Sequence, residues 1–121
     1  MAREYRIVAY DEDLANRIRD LVAGEPGLTE QKMFGGLGFL VGGNMAVAAS
    51  GQGGLMVRVS PVQSADLVAN TPAYVAEMGG REMLGWLRVD IEHLRDADEL
   101  AEWVERGTKF ARSLPPKKPK R

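Results

Sequence analysis

No cysteine occurs in the 121 residues. Disulfides, thiolate nucleophiles and cysteine metal sites are therefore excluded. There is one histidine, His93, so a multi-histidine zinc centre cannot be built from this chain. No apolar run approaches the roughly 20 residues that cross a bilayer. The opening Met1-Ala2-Arg3-Glu4-Tyr5-Arg6 is too charged for the apolar stretch of a secretory signal. A soluble, cytoplasmic protein is the expectation. An excess of charge is also missing: 16 Lys and Arg face 17 Asp and Glu, for a net charge of −1. The balance is uneven along the chain, because Lys117, Lys118, Lys120 and Arg121 crowd the last five residues. Without those four, twelve basic residues stand against seventeen acidic ones. A body of that sign does not draw nucleic acid, which is held by cations that displace counterions.

What the chain has is one domain's length and an ordinary apolar share of 45%. Tyr5 to Tyr10 reads as a short extended segment. Asp11 to Ala23 reads as a helix, with Leu14, Ile18, Leu21 and Val22 on one stripe and Asp11, Glu12 and Asp13 at its dipole-positive end. From Leu28 the period changes to two. Strands are expected over Thr29–Phe34, Leu37–Val41, Met45–Ser50 and Leu55–Val59, separated by glycine turns, as an antiparallel meander. In the last of these Leu55, Val57 and Val59 share a face, and Met56 and Arg58 share the other. Ser60-Pro61-Val62-Gln63 opens a short helix that ends near Asn70. Tyr74–Met78 and Glu82–Val89 form a second hairpin around Gly79-Gly80. A final helix begins at Asp96 and buries Leu100, Trp103, Val104, Gly107, Ala111 and Leu114. Pro115-Pro116 stops it. The sum is a single α+β domain over residues 1–114, with five to six antiparallel strands flanked by helices in the order α-β(3–4)-α-β(2)-α. A disordered basic tail follows over 115–121.

No motif for catalysis survives. Eight of the fourteen glycines lie between Gly35 and Gly54, yet neither phosphate-binding pattern is met. Gly36-Leu37-Gly38 is followed by Val41 where the dinucleotide fingerprint needs its third glycine, and Gly38 and Gly43 precede Asn44-Met45 rather than Lys and Ser or Thr. These glycines are read as serving turns and bulges. Asp90, Glu92, Asp96 and Asp98 miss the calcium-loop spacing, with Leu100 at a ligand position. His93 reads as a loop histidine, and Trp86 and Trp103 as core aromatics. No serine has a nucleophile-elbow context. The chain is thus expected to be no enzyme and to need no cofactor or metal. Lys32, Arg58 and Arg81 are strand or turn cations that would form an anion-friendly patch only if they converged.

Lys32-Met33-Phe34-Gly35-Gly36, the Leu37-Gly38-Phe39 strand, the Gly43-Asn44-Met45 turn and Leu55-Met56-Val57-Arg58-Val59 resemble the N-terminal domain of the TfoX/Sxy family. Met78-Gly79-Gly80-Arg81-Glu82-Met83, Gly85-Trp86 and the Asp96 to Trp103 helix start fit the same resemblance, which covers about residues 9 to 114. It implies an α+β fold similar to type III secretion chaperones. It further implies a link to competence and transcription regulation, here without the helical second domain that full-length competence regulators carry. It supplies no catalytic residue.

Three functions follow as expectations. The first is a small regulatory or interaction module that binds a protein partner or a second copy of itself. Its recognition edge would be Met33, Phe34, Gly35 and Gly36, with Arg58 and Arg81 nearby. The second is weak nucleic-acid contact through Lys117, Lys118, Lys120 and Arg121. The third is a small-anion binder or enzyme using Lys32 and Arg58.

Overall fold

The computed structural model describes residues 10–33 and 35–117. The expected segment over Tyr5 to Tyr10 lies almost wholly outside them. The elements run α1 (Glu12–Val22), β1 (Leu28–Met33), β2 (Gly36–Val41), β3 (Asn44–Ala49), β4 (Leu55–Arg58), α2 (Pro61–Asn70), β5 (Tyr74–Met78), β6 (Arg81–Val89), a 3₁₀ turn (Ile91–His93) and α3 (Ala97–Ser113). This is the α+β order expected from the sequence, with six strands. The sheet is antiparallel throughout, in the order β1-β2-β3-β4-β6-β5.

Local chemistry fixes the helix starts. The Asp11 carboxylate accepts from the Leu14 N–H, Ser60 accepts from Val62, and Asp96 accepts from Asp98 and Glu99. Helices α1 and α3 cover one face of the sheet. Leu14, Ile18, Leu100, Trp103 and Val104 pack there on Phe39, Val47, Leu55, Val57 and Leu87. Leu21, assigned to the α1 stripe from its spacing, is instead 45% exposed, and the smaller Ala15 is buried. Trp103 joins this core as expected. Trp86 does not: it is half-buried on the other side of the sheet.

The pairing of β5 with β6 slips between Val75, opposite Leu87, and Ala76, opposite Met83. Leu84, Gly85 and Trp86 are left without a β5 partner. The slip is held by Gly85, whose φ is +88°. Its N–H donates to Ser64 Oγ at 2.9 Å, and its carbonyl accepts from the Val59 N–H at 2.8 Å. A left-handed residue at a bulge bends the strand. The outer half of the hairpin is thereby turned over the uncovered face.

The chain beyond α3 was expected to be disordered from Pro115 onward. Residues Pro115 to Lys117 are held against the β2–β3 turn. Asn44 Nδ2 donates to the Pro115 carbonyl at 3.0 Å, and the Lys117 N–H donates to the Gly42 carbonyl at 2.8 Å. Lys118, Lys120 and Arg121 lie outside the described residues.

One ion pair joins α1 to the edge of the sheet. Arg19 Nε and NH2 donate to the two Glu30 oxygens at 2.6 and 2.9 Å. The guanidinium holds the Glu30 carboxyl below its ordinary range. A depressed carboxyl stabilises the fold above the unfolded value, and that contribution disappears as pH falls through the folded one. The pair is partly exposed, so it is worth only about 0.2–1 kcal/mol. Glu30→Gln is expected to lower the melting temperature slightly at pH 7, and the difference from the wild-type chain is expected to close between pH 5 and pH 2. A difference that persists unchanged at pH 2 would show that the ion pair is not its source.

Candidate functional site

Among the described residues, one face of the sheet carries no helix. Cross-strand partners in an antiparallel sheet share a face, so the register sorts the side chains. Leu37, Phe39, Val47, Leu55, Val57 and Leu87 point to the helices. Their alternates, including Gly38, Ala48, Met56, Trp86 and Arg88, point away. On this second face lies a cavity of about 550 Å³.

Five methionines line it: Met33, Met45, Met56, Met78 and Met83. The chain has six in all, and the sixth is Met1. They come from β1, β3, β4, β5 and the start of β6, so residues of the two opposite sheet edges line a single cavity. The floor is made of small residues. Ala48 lines it, and a Cβ on Gly38 would stand 3.2 Å from Met45 Cε and 3.4 Å from Met33 Cε. The indole of Trp86 forms part of the wall.

Arg88 lines this cavity, and Arg58 stands at the edge of the face, outside the lining and reaching toward α3. Arg88 NH1 donates to Ser50 Oγ at 2.9 Å and NH2 to the Gly53 carbonyl at 3.0 Å, which fixes the guanidinium at the cavity lining. The Arg58 guanidinium carbon lies 5.0 Å from the Trp86 ring centre and 5.5 Å from that of Phe110. Both are within cation–π range. Glu77 is the one carboxylate at the lining. Among the described residues, no group of three or more His, Asp or Glu side chains is placed to hold a metal ion.

The residues singled out from the sequence separate into groups. Met33 and Gly36 come together at the cavity. Gly35, with φ +77°, makes the turn between β1 and β2. Phe34 lies outside the described residues. Arg58 stands beside the cavity through its contact with Trp86, whereas Arg81 is exposed next to the β5–β6 turn. Lys32 is opposite Leu37, on the helix-covered side, as is Glu30 with its bond to α1. Lys32 and Arg58 therefore lie on opposite faces of the sheet and are not brought together. His93 sits in the 3₁₀ turn with Nε2 3.7 Å from a Glu92 oxygen.

The residues missed from the sequence are Met45, Met56, Met78, Met83, Trp86 and Arg88 as members of one site. Strand alternation already put Met56 on the face away from the core. Their meeting depends on the β4–β6 pairing and on the Gly85 bulge, which no local pattern announces.

The family model described as the TfoX N-terminal domain matches residues 20–111. The chain belongs to the TfoX N-terminal domain family. A search of curated proteins gives no match. The matched segment of this TfoX N-terminal domain contains every strand, all of α2, most of α3 and the last three residues of α1. No helix among the described residues is long and apolar enough to cross a membrane.

Proposed function

We propose that this TfoX N-terminal domain is a non-enzymatic regulatory module, of the kind that serves competence regulation, and that it binds a protein partner through the β1 edge of its sheet. The observation that carries the reading is the state of that edge. Among the described residues β1 is terminal in the sheet, pairs with β2 over six residues without a bulge, and exposes Thr29, Glu30, Gln31 and Lys32 in succession. It contains no proline. A straight edge with unpaired N–H and C=O groups is a template for an added strand, and strand addition is a general mode of peptide recognition. Met33 and Gly35 end this edge, which is where the sequence placed recognition.

A second copy of the chain is the one other partner that a specific observation favours. Glu30 and Lys32 have opposite charge and lie two residues apart on one face. An antiparallel copy centred on Gln31 sets each Glu30 across from the other copy's Lys32, a favourable cross-strand pair.

The test uses proline as a probe of the edge. Backbone N–H groups alternate in direction along a strand, so one of Glu30→Pro and Gln31→Pro removes an outward N–H and spares the β1–β2 ladder. That variant is expected to fold and to lose at least tenfold in partner capture from nuclease-treated lysate, or in self-association by light scattering if the partner is a second copy. A folded variant that captures and associates like the wild-type chain overturns the reading. Nucleic acid retained by the intact chain, and lost on truncation after Leu114, would transfer the function to Lys117, Lys118, Lys120 and Arg121.

A further inference from the structure

The methionine cavity is distinct from the β1 edge, and only Met33 is common to both. We propose that it is a binding site for a small aromatic acid: a flat ring system carrying a carboxylate. Three properties carry it: size, wall chemistry and charge.

Size decides between a small molecule and a docked helix. The volume of about 550 Å³ lies inside the range of roughly 300–1,000 Å³ typical of small-molecule sites. An α-helix with its side chains is about 10 Å across and rises 5.4 Å per turn. One turn therefore fills roughly 420 Å³, and a recognition helix of three turns needs more than twice the space present.

Wall chemistry selects the ring. Thioether sulfur is polarizable and makes favourable contacts with aromatic edges, about 0.3–1.5 kcal/mol each. The walls supply five thioethers and one indole. A flat ligand fits between thioethers and can stack on Trp86. Unbranched methionines also repack readily around rings of different outline, so the site is selective for a chemical class more than for one outline. The floor at Ala48 is low because its side chain ends at Cβ, and that leaves depth for the ring, while the Met45 and Met33 methyl groups lie over Gly38.

Charge selects the acid. Arg88 lies at the lining with its NH1 and NH2 each bonded to a fixed acceptor. Those two bonds leave further N–H donors of its five, and a guanidinium meets a carboxylate with paired donors. Arg58 lies outside the lining, between the Trp86 ring and the Phe110 ring of α3. Glu77 is the single opposing carboxylate, and it is exposed. At the lining, the free donors of the fixed Arg88 guanidinium face the cavity's ring site, whereas Glu77 is exposed, and this favours a carboxylate on the ligand.

The test reads the cavity through the methionines themselves. The full chain is labelled with carbon-13 at the methionine methyl groups and titrated with 2-naphthoate, with decanoate as the aliphatic acid and 2-naphthol as the uncharged ring. Expected is a saturable shift of the Met45, Met56 and Met83 methyl signals by 2-naphthoate at one site per chain, with Met1 unmoved. Decanoate and 2-naphthol are each expected to bind at least tenfold more weakly. Ala48→Leu, which fills the floor, is expected to weaken 2-naphthoate at least tenfold while the methyl spectrum stays dispersed. Met56→Lys, on a half-buried position of the same wall, gives the same expectation should Ala48→Leu fail to fold. Four results overturn the proposal: no saturable shift, shifts that spare the cavity methyls, equal affinity for decanoate, or undiminished binding in a folded Ala48→Leu or Met56→Lys chain.

Discussion

Gly107→Ala is expected to destabilise the domain by about 2–3 kcal/mol, within the range for overpacking a well-packed interface. The direction is opposite to helix propensity. In an exposed helix interior the same change stabilises by roughly 1 kcal/mol, because glycine loses more backbone freedom than alanine. Gly107 is in the middle of α3 and fully covered by β3. A Cβ built there collides with the Ala46 carbonyl oxygen and stands 2.8 Å from Val47 Cγ1 and 3.0 Å from the Ala46 carbonyl carbon. Two of those three neighbours are backbone atoms of a central strand, so no rotamer change relieves them. Either α3 withdraws from the sheet or β3 bends, and both loosen the packing of Trp103, Val104 and Ala111. For a domain of this size, a loss of that order corresponds to roughly 10 °C in melting temperature. Chemical denaturation of the two chains checks it. A gain in stability would show that α3 does not approach β3 as closely as described.

Gly107 also marks how much of the architecture was legible. Its place in the apolar stripe with Leu100, Trp103, Val104 and Ala111 was readable from helical spacing, and all five are buried, whereas Leu114, assigned to the same stripe, is the half-buried C-cap. The strands were readable because alternation, glycine pairs and β-branched residues coincide. Tyr74–Met78 agrees with the structure to the residue, and α2 starts at Pro61 and ends at Asn70, near which the sequence placed its end. Two features were not readable. The 3₁₀ turn at Ile91–His93 is too short to show a period. The seating of β6 between β4 and β5 is a tertiary choice. Leu87 and Val89 face Val57 and Leu55 in that seating, but nothing in either segment names the other.

The site was half legible for a related reason. Met33 and Gly36 drew notice as neighbours in sequence, and they do share the cavity. Met56 and Arg58 were placed correctly on the far side of β4. Trp86 was assigned to the core because large aromatics usually go there. Its neighbours Gly85 and Leu87 are buried while the indole takes the other face, half-covered beside Arg58. The sequence has no mark for this, since a bulge at Gly85 depends on Ser64 and Val59 being in reach. The methionines were invisible as a group. They are spread over 51 positions of the chain, from Met33 to Met83, and only the folded-over β5–β6 hairpin closes them into one wall.

Gly36→Ala is the second large expected effect, and it separates two meanings of the Met33-Phe34-Gly35-Gly36 run. If Gly36 is there for recognition, an added methyl group alters binding and leaves stability alone. The structure predicts the reverse. A Cβ on Gly36 would stand 2.5 Å from the Ala49 carbonyl oxygen and 2.9 Å from the Gly51 nitrogen. Both are backbone atoms where β3 enters the β3–β4 turn. The variant is expected to lose about 1–3 kcal/mol, as overpacking does, through displacement of β3 from β2. Gly79→Ala is the control for backbone strain alone. Gly79 has φ +58° with open space where its Cβ would go, so its expected cost is the left-handed penalty of roughly 1–2 kcal/mol with no clash. The two differ in where the damage spreads. Gly36→Ala is expected to raise amide exchange across β2 and β3, whereas Gly79→Ala is expected to raise it only in the β5–β6 hairpin. Equal stability of Gly36→Ala and wild type, together with lost partner capture, would make this glycine a contact residue and move the recognition edge from β1 to the β1–β2 turn.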